Sequence, residues 1–273
     1  MRMHLRDYLF LIFFLIGSVS FLLGSCSSKE PAECSGLFGV QHDASGLPPE
    51  SCSPTCECDG ETWTAPVLDQ ALMDALKARV LLNPPEDLSA DPYDVSESPA
   101  HQTGVCGVLN QGEGSKEYTL KSYESADLAQ EAGAVVTHRG ACGRCSTLHD
   151  LAIYMNYTDL TEPVRACGMK SFMEGADASL ECLKDMGFTP PCAKIWMYNT
   201  IHTRKECLAP CLALLEAPYH NEDGTLNECL ACDEEKSGPV FKAVAGRTRR
   251  NSGLASAICR PCAEVYRLDH RYE

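Results

Sequence analysis

The sequence predicts an α+β fold made mostly of short α-helices with a small antiparallel sheet, and rich in disulfides. Three observations favour this fold class. The 273-residue chain contains 17 cysteines, the helix-patterned segments after Ser146 are short, and two strand-patterned runs flank a glycine-containing turn before them. Short helices are marginally stable alone, so cross-links outside the cytosol would have to hold them together.

The first 25 residues have the pattern of a signal peptide or a retained signal anchor. Arg2 and Arg6 precede an apolar run over residues 8–24, which is close to the lower limit for spanning a bilayer, about 17 residues. Leu23-Gly24-Ser25-Cys26 resembles a bacterial lipoprotein cleavage box, and the resemblance implies a lipid on Cys26. An ordinary signal-peptidase site is the alternative. Either way we expect the protein to be secreted or anchored to the outer face of a membrane.

The cysteine count fits this compartment. Without Cys26, sixteen cysteines remain, an even number compatible with eight disulfides. Residues 26–60 are predicted to be a loop-rich, cysteine-bearing extension, and residues 61–273 a disulfide-rich helical domain with a small sheet. Cys56 and Cys58 are too close for a comfortable bridge with each other, so we expect them to have different partners.

Hydrophobic periodicity predicts the elements of the larger domain. An amphipathic helix is expected over 67–82, a β-hairpin from 105–109 and 118–123, a short helix over 126–132 and a third strand over 134–138. After Ser146 the pattern predicts a turn around 208–215 and helices over 147–156, 163–173, 178–186, 192–203, 226–234, 240–245 and 255–268.

The formal net charge of −15 excludes one class of function. A strongly acidic chain is repelled by nucleic acid and by anionic membranes. We therefore expect no nucleic-acid partner, and membrane contact only through the N-terminal segment or a lipid on Cys26.

Cys142-Gly143-Arg144-Cys145 is the first candidate for chemistry. It follows a predicted strand and opens a predicted helix, and in this it resembles the redox motif of thioredoxin and protein disulfide isomerase proteins. The resemblance implies a thiol-disulfide oxidoreductase, with a thiolate stabilised by the helix N-terminus. Ala141 stands where those families carry an aromatic residue.

His149 and Asp150 are the second candidate. Cys145 followed by His149-Asp150 on a helix resembles the active-site helix of secreted phospholipase A2. The resemblance implies a calcium-dependent hydrolase, with His149 as the base and Asp150 as a calcium ligand. Ser146 replaces a cysteine of that family, and the glycine-rich calcium loop is missing upstream.

Zinc and anion binding are further alternatives. Cys142 and Cys145, together with the Cys229/Cys232 or the Cys259/Cys262 pair, have the spacing of a four-cysteine zinc site. Arg247, Arg249 and Arg250 form a basic patch that would bind a sulfated glycan, a phosphate or a carboxylate. The patch would otherwise be a processing site or form ion pairs with Asp233, Glu234 and Glu235.

The sequence alone therefore predicts an exported, disulfide-stabilised protein of binding or structural type. Its partner would be an unknown extracellular ligand or protein, and no cofactor or metal is assigned. The oxidoreductase and the calcium-dependent hydrolase remain as alternatives.

Overall fold

The largest sheet forms where the sequence predicts the hairpin. Strands β7 (Val105–Asn110) and β8 (Glu117–Tyr123) pair antiparallel, with Val108 opposite Leu120, and β9 (Val135–Arg139) pairs antiparallel with the other edge of β7. A short strand, β6 (Val80–Leu81), adds to β8 in parallel. The predicted hairpin and third strand are confirmed, and the sheet has one parallel edge that the sequence pattern did not predict.

The computed structural model describes residues 33–94 and 103–272. The predicted signal sequence and the lipid on Cys26 lie outside these residues. Within them, two small sheets involve residues 33–64: one has the order β1-β4-β5 and the other the order β10-β2-β3. Their strands are β1 (Cys34–Ser35), β2 (Leu37–Phe38), β3 (Cys52–Ser53), β4 (Thr55–Cys58), β5 (Glu61–Thr64) and β10 (Arg260–Pro261).

The described residues contain eight α-helices. They are α1 (Gln70–Lys77), α2 (Ala126–Glu131), α3 (Leu148–Asn156), α4 (Thr161–Met173), α5 (Ala176–Asp185), α6 (Pro190–Ala213), α7 (Glu228–Lys236) and α8 (Gly238–Ala245). Side chains cap several of them: Asp69, Ser125, Thr147 and Asn227 each accept a hydrogen bond from a backbone N–H of the first turn. Such caps satisfy amides that have no partner inside the helix.

All sixteen cysteines of the described residues are in disulfides, so the protein is a disulfide-rich α+β protein. The pairs are Cys34–Cys58, Cys52–Cys259, Cys56–Cys262, Cys106–Cys142, Cys145–Cys192, Cys167–Cys182, Cys207–Cys232 and Cys211–Cys229. Cys56 and Cys58 have different partners, as predicted. Two of the bridges join the segment 33–64 to the C-terminal segment.

Three helix predictions need correction. The first helix begins at Gln70 because the Asp69 carboxylate caps it, and Val80–Leu81 forms a strand rather than the end of the helix. The helix predicted over 192–203 and the turn after it form one kinked helix, α6. The helix predicted over 255–268 is wrong: Cys259 and Cys262 are bridged to Cys52 and Cys56, Arg260–Pro261 forms a strand that pairs with β2, and Cys262–Glu264 forms a single 3₁₀ turn.

Helix α6 is the centre of the helical half. It contacts α4, α5, α7 and α8, and its first half is buried through Cys192, Ile195 and Met197. The helix kinks at Cys207, whose φ of −118° and ψ of 16° are not helical. Pro210 follows three residues later and lacks the N–H that would bond to the preceding turn, so a kink here has a local cause.

The main hydrophobic core lies between α3, α6, α8 and the larger sheet, and includes Leu148, Leu151, Leu183 and Ile195, all without solvent exposure. A second, smaller core forms around Phe38, Cys56 and Cys262. No helix among residues 33–94 and 103–272 is both long and apolar enough to cross a bilayer.

Candidate functional site

The Cys142-Gly143-Arg144-Cys145 motif lies against the end of α8. The cysteines are not bonded to each other: Cys142 pairs with Cys106, and the buried Cys145 pairs with Cys192. The Cys142–Cys145 pair of the oxidoreductase alternative is therefore not formed, because each sulfur is bonded to a different element. Oxidoreductase chemistry needs two neighbouring thiols that exchange, and this arrangement does not provide them.

Gly143 explains the spacing of the motif. A Cβ on Gly143 would lie 2.5 Å from the Val244 carbonyl oxygen and 2.6 Å from the Gly246 nitrogen. The amides of Arg144 and Cys145 donate to the carbonyls of Val244 and Ala245, at 2.9 and 2.8 Å. The motif is thus a docking point for the C-terminal end of α8, and it fixes the start of the basic loop that follows.

His149 and Asp150 do not converge on an open site. Asp150 is fully buried and accepts hydrogen bonds from the Thr147 hydroxyl and from the amide and hydroxyl of Thr189, all at 2.7–2.8 Å. His149 is half-buried and its Nε2 lies 2.9 Å from the Gly187 carbonyl oxygen. Burial raises the pKa of Asp150, and the bonds from the two threonines oppose the rise. The Asp150 carboxyl therefore connects the beginnings of α3 and α6. Its hydrogen-bonding partners are structural, and they leave no room for a calcium ion.

The four-cysteine zinc alternative also lacks its ligands. Cys229, Cys232, Cys259 and Cys262 are each in a disulfide with another cysteine. Among the residues that the structure describes, no group of three or more His, Cys, Asp or Glu side chains is placed to hold a metal ion.

Arg247, the first arginine of the predicted basic patch, is fully buried. Its guanidinium donates five hydrogen bonds, to the carbonyl oxygens of Thr137, Cys145 and Ser146 and to the hydroxyls of Thr137 and Ser252. Burial lowers its pKa, and the nearby tyrosines and Asp150 oppose this. All five donors are used, so Arg247 ties β9 and α3 to the loop and has none left for a ligand.

Arg250, the third arginine, forms ion pairs as one of the sequence alternatives predicts. It pairs with Glu264 and, at 2.9 Å, with Glu234, which also receives Lys242 at 2.8 Å and Arg260 at 2.6 Å. Burial by itself would raise the pKa of the Glu234 carboxyl, but Arg260, Lys242 and Arg250 together lower it to about 2. Three cationic side chains, Arg250, Lys242 and Arg260, therefore share the Glu234 carboxylate.

These basic residues face a cavity of about 830 Å³ between α4, the second half of α6, α7, α8 and the segment 248–265. Its size falls within the range of small-molecule sites, about 300–1,000 Å³. The lining is mostly apolar and includes Leu160, Val164, Met169, Phe172, Trp196, Leu208, Leu212, Leu215, Leu230, Phe241, Leu254, Ile258 and Val265.

Arg249 lines this cavity and is incompletely bonded. Its Nη1 donates to the Ala255 carbonyl oxygen at 3.1 Å. Its Nε and Nη2 are shielded from solvent and have no hydrogen-bond partner among the described residues. Burial lowers the pKa of Arg249 to about 10, which leaves it charged at neutral pH. A buried donor without an acceptor costs about 1–3 kcal/mol, more when charged. A group that accepts hydrogen bonds from the Arg249 guanidinium would therefore be bound favourably.

The charge of the lining is opposite to that of the chain. Seven cationic residues line the cavity against three acidic ones, Asp159, Asp233 and Glu234, in a chain with a net charge of −15. Clefts of one sign focus the field and favour ligands of the other sign. The arrangement fits a molecule with a large apolar part and an anionic group.

A polar cluster lies on the α6–α7 side of the cavity. Thr203 donates to Asp233 in a short hydrogen bond and contacts the Ser237 hydroxyl at 2.9 Å, while His202 Nδ1 lies 3.0 Å from the same hydroxyl. Burial raises the pKa of Asp233, opposed mainly by the bond from Thr203. Ser237 is fully buried, and the cluster holds α6 to α7.

Sequence reasoning identified Arg249 but not the cavity around it. Trp196 lies in the lining, where the centre of its ring is 4.5 Å from that of Phe241 and its Nε1 donates to the Tyr154 hydroxyl. The available signal was the apolar spacing of Met169, Phe172 and Met173, which is also typical of an ordinary core face.

Residues 176–268, about a third of the chain, match a protein family described as a family of unknown function (DUF8771). The match begins at the start of α5, includes α6, α7, α8 and the loop of Arg247–Arg250, and leaves α4 out. No curated protein and no solved structure matches the chain. Over these residues the chain is similar to a family whose function is unknown.

Proposed function

We propose that this is an exported binding protein that holds one amphipathic anion, an apolar chain with a carboxylate head, in the cavity between α4, α6, α7 and α8. The observation that carries the proposal is the incompletely bonded Arg249 guanidinium on the wall of a mostly apolar cavity. The eight disulfides support an oxidising compartment outside the cytoplasm. Export through the N-terminal segment, with or without a lipid on Cys26, is part of the proposal.

A carboxylate head group would supply the hydrogen-bond acceptors that Arg249 lacks. The guanidinium presents its donors in a planar fork that matches two carboxylate oxygens. Because Nε and Nη2 are covered in the free protein, ligand entry requires a rotation about the terminal bonds of the Arg249 side chain. The gain from two new charge-assisted bonds adds to the relief of two unsatisfied donors.

The apolar chain of the ligand would occupy the space lined by α4 and α6. Apolar surface removed from water contributes about 25 cal/mol per Å², so this part supplies most of the affinity. The head group supplies the selectivity for an anion over a neutral molecule of the same shape.

Calorimetric titration with decanoate and decanol tests the proposal. We expect the protein to bind decanoate about tenfold or more tightly than decanol. Arg249→Gln should weaken decanoate binding by about 10- to 100-fold, corresponding to loss of a charge-assisted pair, and should change decanol binding little. Arg139→Gln is the matched control, since Arg139 is exposed on β9, and it should bind like the parent.

Equal affinity of the parent for decanoate and decanol would overturn the proposal, as would an equal loss in the Arg139 control. Absence of binding of both compounds would overturn it too.

A further inference from the structure

Six large apolar side chains are exposed at the mouth of the cavity: Met169, Phe172 and Met173 on α4, Leu208 and Leu212 on α6, and Leu215 in the turn that follows α6. We call these six residues the apolar rim. Of the ten large hydrophobic side chains exposed among the described residues, these six lie on α4 and on α6 with the turn after it, and the two helices contact each other. Such clustering marks an interaction surface, because scattered apolar residues need no explanation but contiguous ones do.

The spacing of the apolar rim brings its residues together on each helix. Residues 169, 172 and 173 of α4 follow the i, i+3, i+4 pattern, and residues 208 and 212 of α6 follow i, i+4, with Leu215 in the turn that follows. Phe172 is 69% exposed and Leu212 is 57% exposed. Five of the six, all except Met173, also line the cavity, so the apolar surface runs without a break from the outside of the mouth into the binding space.

Resting on the proposed function, we propose that the apolar rim docks on the surface of a lipid bilayer, where the amphipathic ligand enters and leaves the cavity. A ligand with a long apolar chain resides in membranes, and a continuous apolar path spares the chain from crossing water. The Arg204 guanidinium lies 5.6 Å from the centre of the Phe172 ring, and Lys170 is exposed on the same helix as Phe172. Cations beside an apolar stripe are the pattern of interfacial helices, where they meet lipid phosphates.

The N-terminal sequence gives a second reason to choose a bilayer. A lipid on Cys26, as the cleavage box predicts, would be seven residues from Glu33 and would hold the domain within about 25 Å of the membrane. A tether of this length raises the local concentration of membrane, so weak docking by the rim is sufficient. The net charge of −15 favours zwitterionic over anionic lipids,.

Quenching by brominated phosphatidylcholine vesicles tests the docking surface independently of any tether. The variant Phe172→Trp places a fluorophore on the rim, and Leu128→Trp is the matched control, since Leu128 is 44% exposed on α2. We expect the vesicles to quench the added fluorescence of the first variant and not that of the second. Equal quenching of both, or of neither, would overturn the proposal.

Transfer of the ligand provides the second readout. Met173→Asp changes the one rim residue that does not line the cavity. It should slow transfer of a fluorescent fatty acid from phosphatidylcholine vesicles to the protein by about tenfold, as expected for loss of a buried apolar side chain from the contact. Leu128→Asp should transfer like the parent. If Met173→Asp slows transfer but binds water-soluble decanoate normally, the docking surface is supported. Loss of decanoate binding instead, or transfer as fast as that of the parent, would overturn the assignment of Met173 to docking.

A second copy of the protein is the competing occupant. Sedimentation equilibrium that shows a dimer dissociated by Phe172→Asp would overturn membrane docking and leave the proposed ligand binding intact. A monomer at all concentrations is the expected result.

Discussion

Arg247 and Arg249 are two residues apart in the chain, and their guanidinium groups have opposite hydrogen-bonding states. Arg247 donates five hydrogen bonds to backbone carbonyls and hydroxyls. Arg249 donates one, to Ala255, and its Nε and Nη2 have no partner among the described residues. The first arginine holds the fold together, and the second has the capacity to receive a ligand.

This contrast predicts opposite effects on stability. Arg247→Met leaves the carbonyls of Thr137, Cys145 and Ser146 without donors and should lower the free energy of unfolding by about 3–5 kcal/mol. Arg249→Met removes unsatisfied donors and should raise it by about 1 kcal/mol. Urea unfolding of the ligand-free protein measures both. A loss of stability in the Arg249 variant similar to that in the Arg247 variant would contradict the assigned roles.

The surroundings of Arg247 predict a pH dependence. In the core, His270 Nε2 donates to the Ser252 carbonyl oxygen and Nδ1 of the neutral ring accepts from the Tyr272 hydroxyl. Burial, followed by Arg247, lowers the pKa of His270 from 6.5 to about 4. A histidine with a lowered folded pKa takes up its proton in the unfolded chain first, so its contribution is complete above about pH 6.5 and is lost as the pH falls towards 4. Between pH 7 and pH 5 the protein should lose about 2 kcal/mol on this account.

The variant His270→Asn isolates this contribution. Its free energy of unfolding should fall by about 2 kcal/mol less than that of the parent between pH 7 and pH 5. Burial and Arg247 also lower the pKa of His138, so the variant should keep part of the dependence. Parallel curves for the variant and the parent would contradict a neutral buried His270.

Non-reducing peptide mass spectrometry tests the disulfide framework. Cys142 should be found linked to Cys106, and Cys145 to Cys192. A peptide with a Cys142–Cys145 bridge would restore the oxidoreductase alternative that this connectivity excludes.

Asp150 is predicted to be structural. Asp150→Ala removes the acceptor of two threonine hydroxyls and one amide at the beginnings of α3 and α6, and should lower the free energy of unfolding by about 2–4 kcal/mol. Asp127→Ala, an exposed change on α2, should stay within about 0.5 kcal/mol. Thermal unfolding with and without calcium completes the test. If Asp150 were a calcium ligand, calcium would stabilise the parent and not the variant.

The sequence predicted the disulfide-rich α+β fold class correctly. The count of sixteen cysteines without Cys26 is even, and all sixteen form disulfides. The hairpin of β7 and β8 and the separate partners of Cys56 and Cys58 follow from local spacing. The helix predicted over 255–268 failed because its apolar periodicity is weaker than the constraint of two bridges, Cys52–Cys259 and Cys56–Cys262, that join residues more than 200 positions apart.

The candidate site was predictable only in part. The basic patch was visible, but Arg247, Arg249 and Arg250 have the same side chain and differ only in what surrounds them after folding. The cavity is built from α4, α6, α7, α8 and a C-terminal loop, and periodicity cannot show that two apolar stripes remain exposed at its mouth. The redox and hydrolase motifs have the residue spacing of those families, but the fold does not place beside them the partner groups that the chemistry needs.

A crystal structure of the protein with 10-bromodecanoate would show whether Arg249 binds a carboxylate, because the bromine locates the chain independently of the head group. We expect the carboxylate within hydrogen-bonding distance of a rotated Arg249 guanidinium and the bromine between α4 and the second half of α6. A carboxylate elsewhere on the protein, or an Arg249 side chain with its Nε and Nη2 still unpaired in the complex, would contradict it.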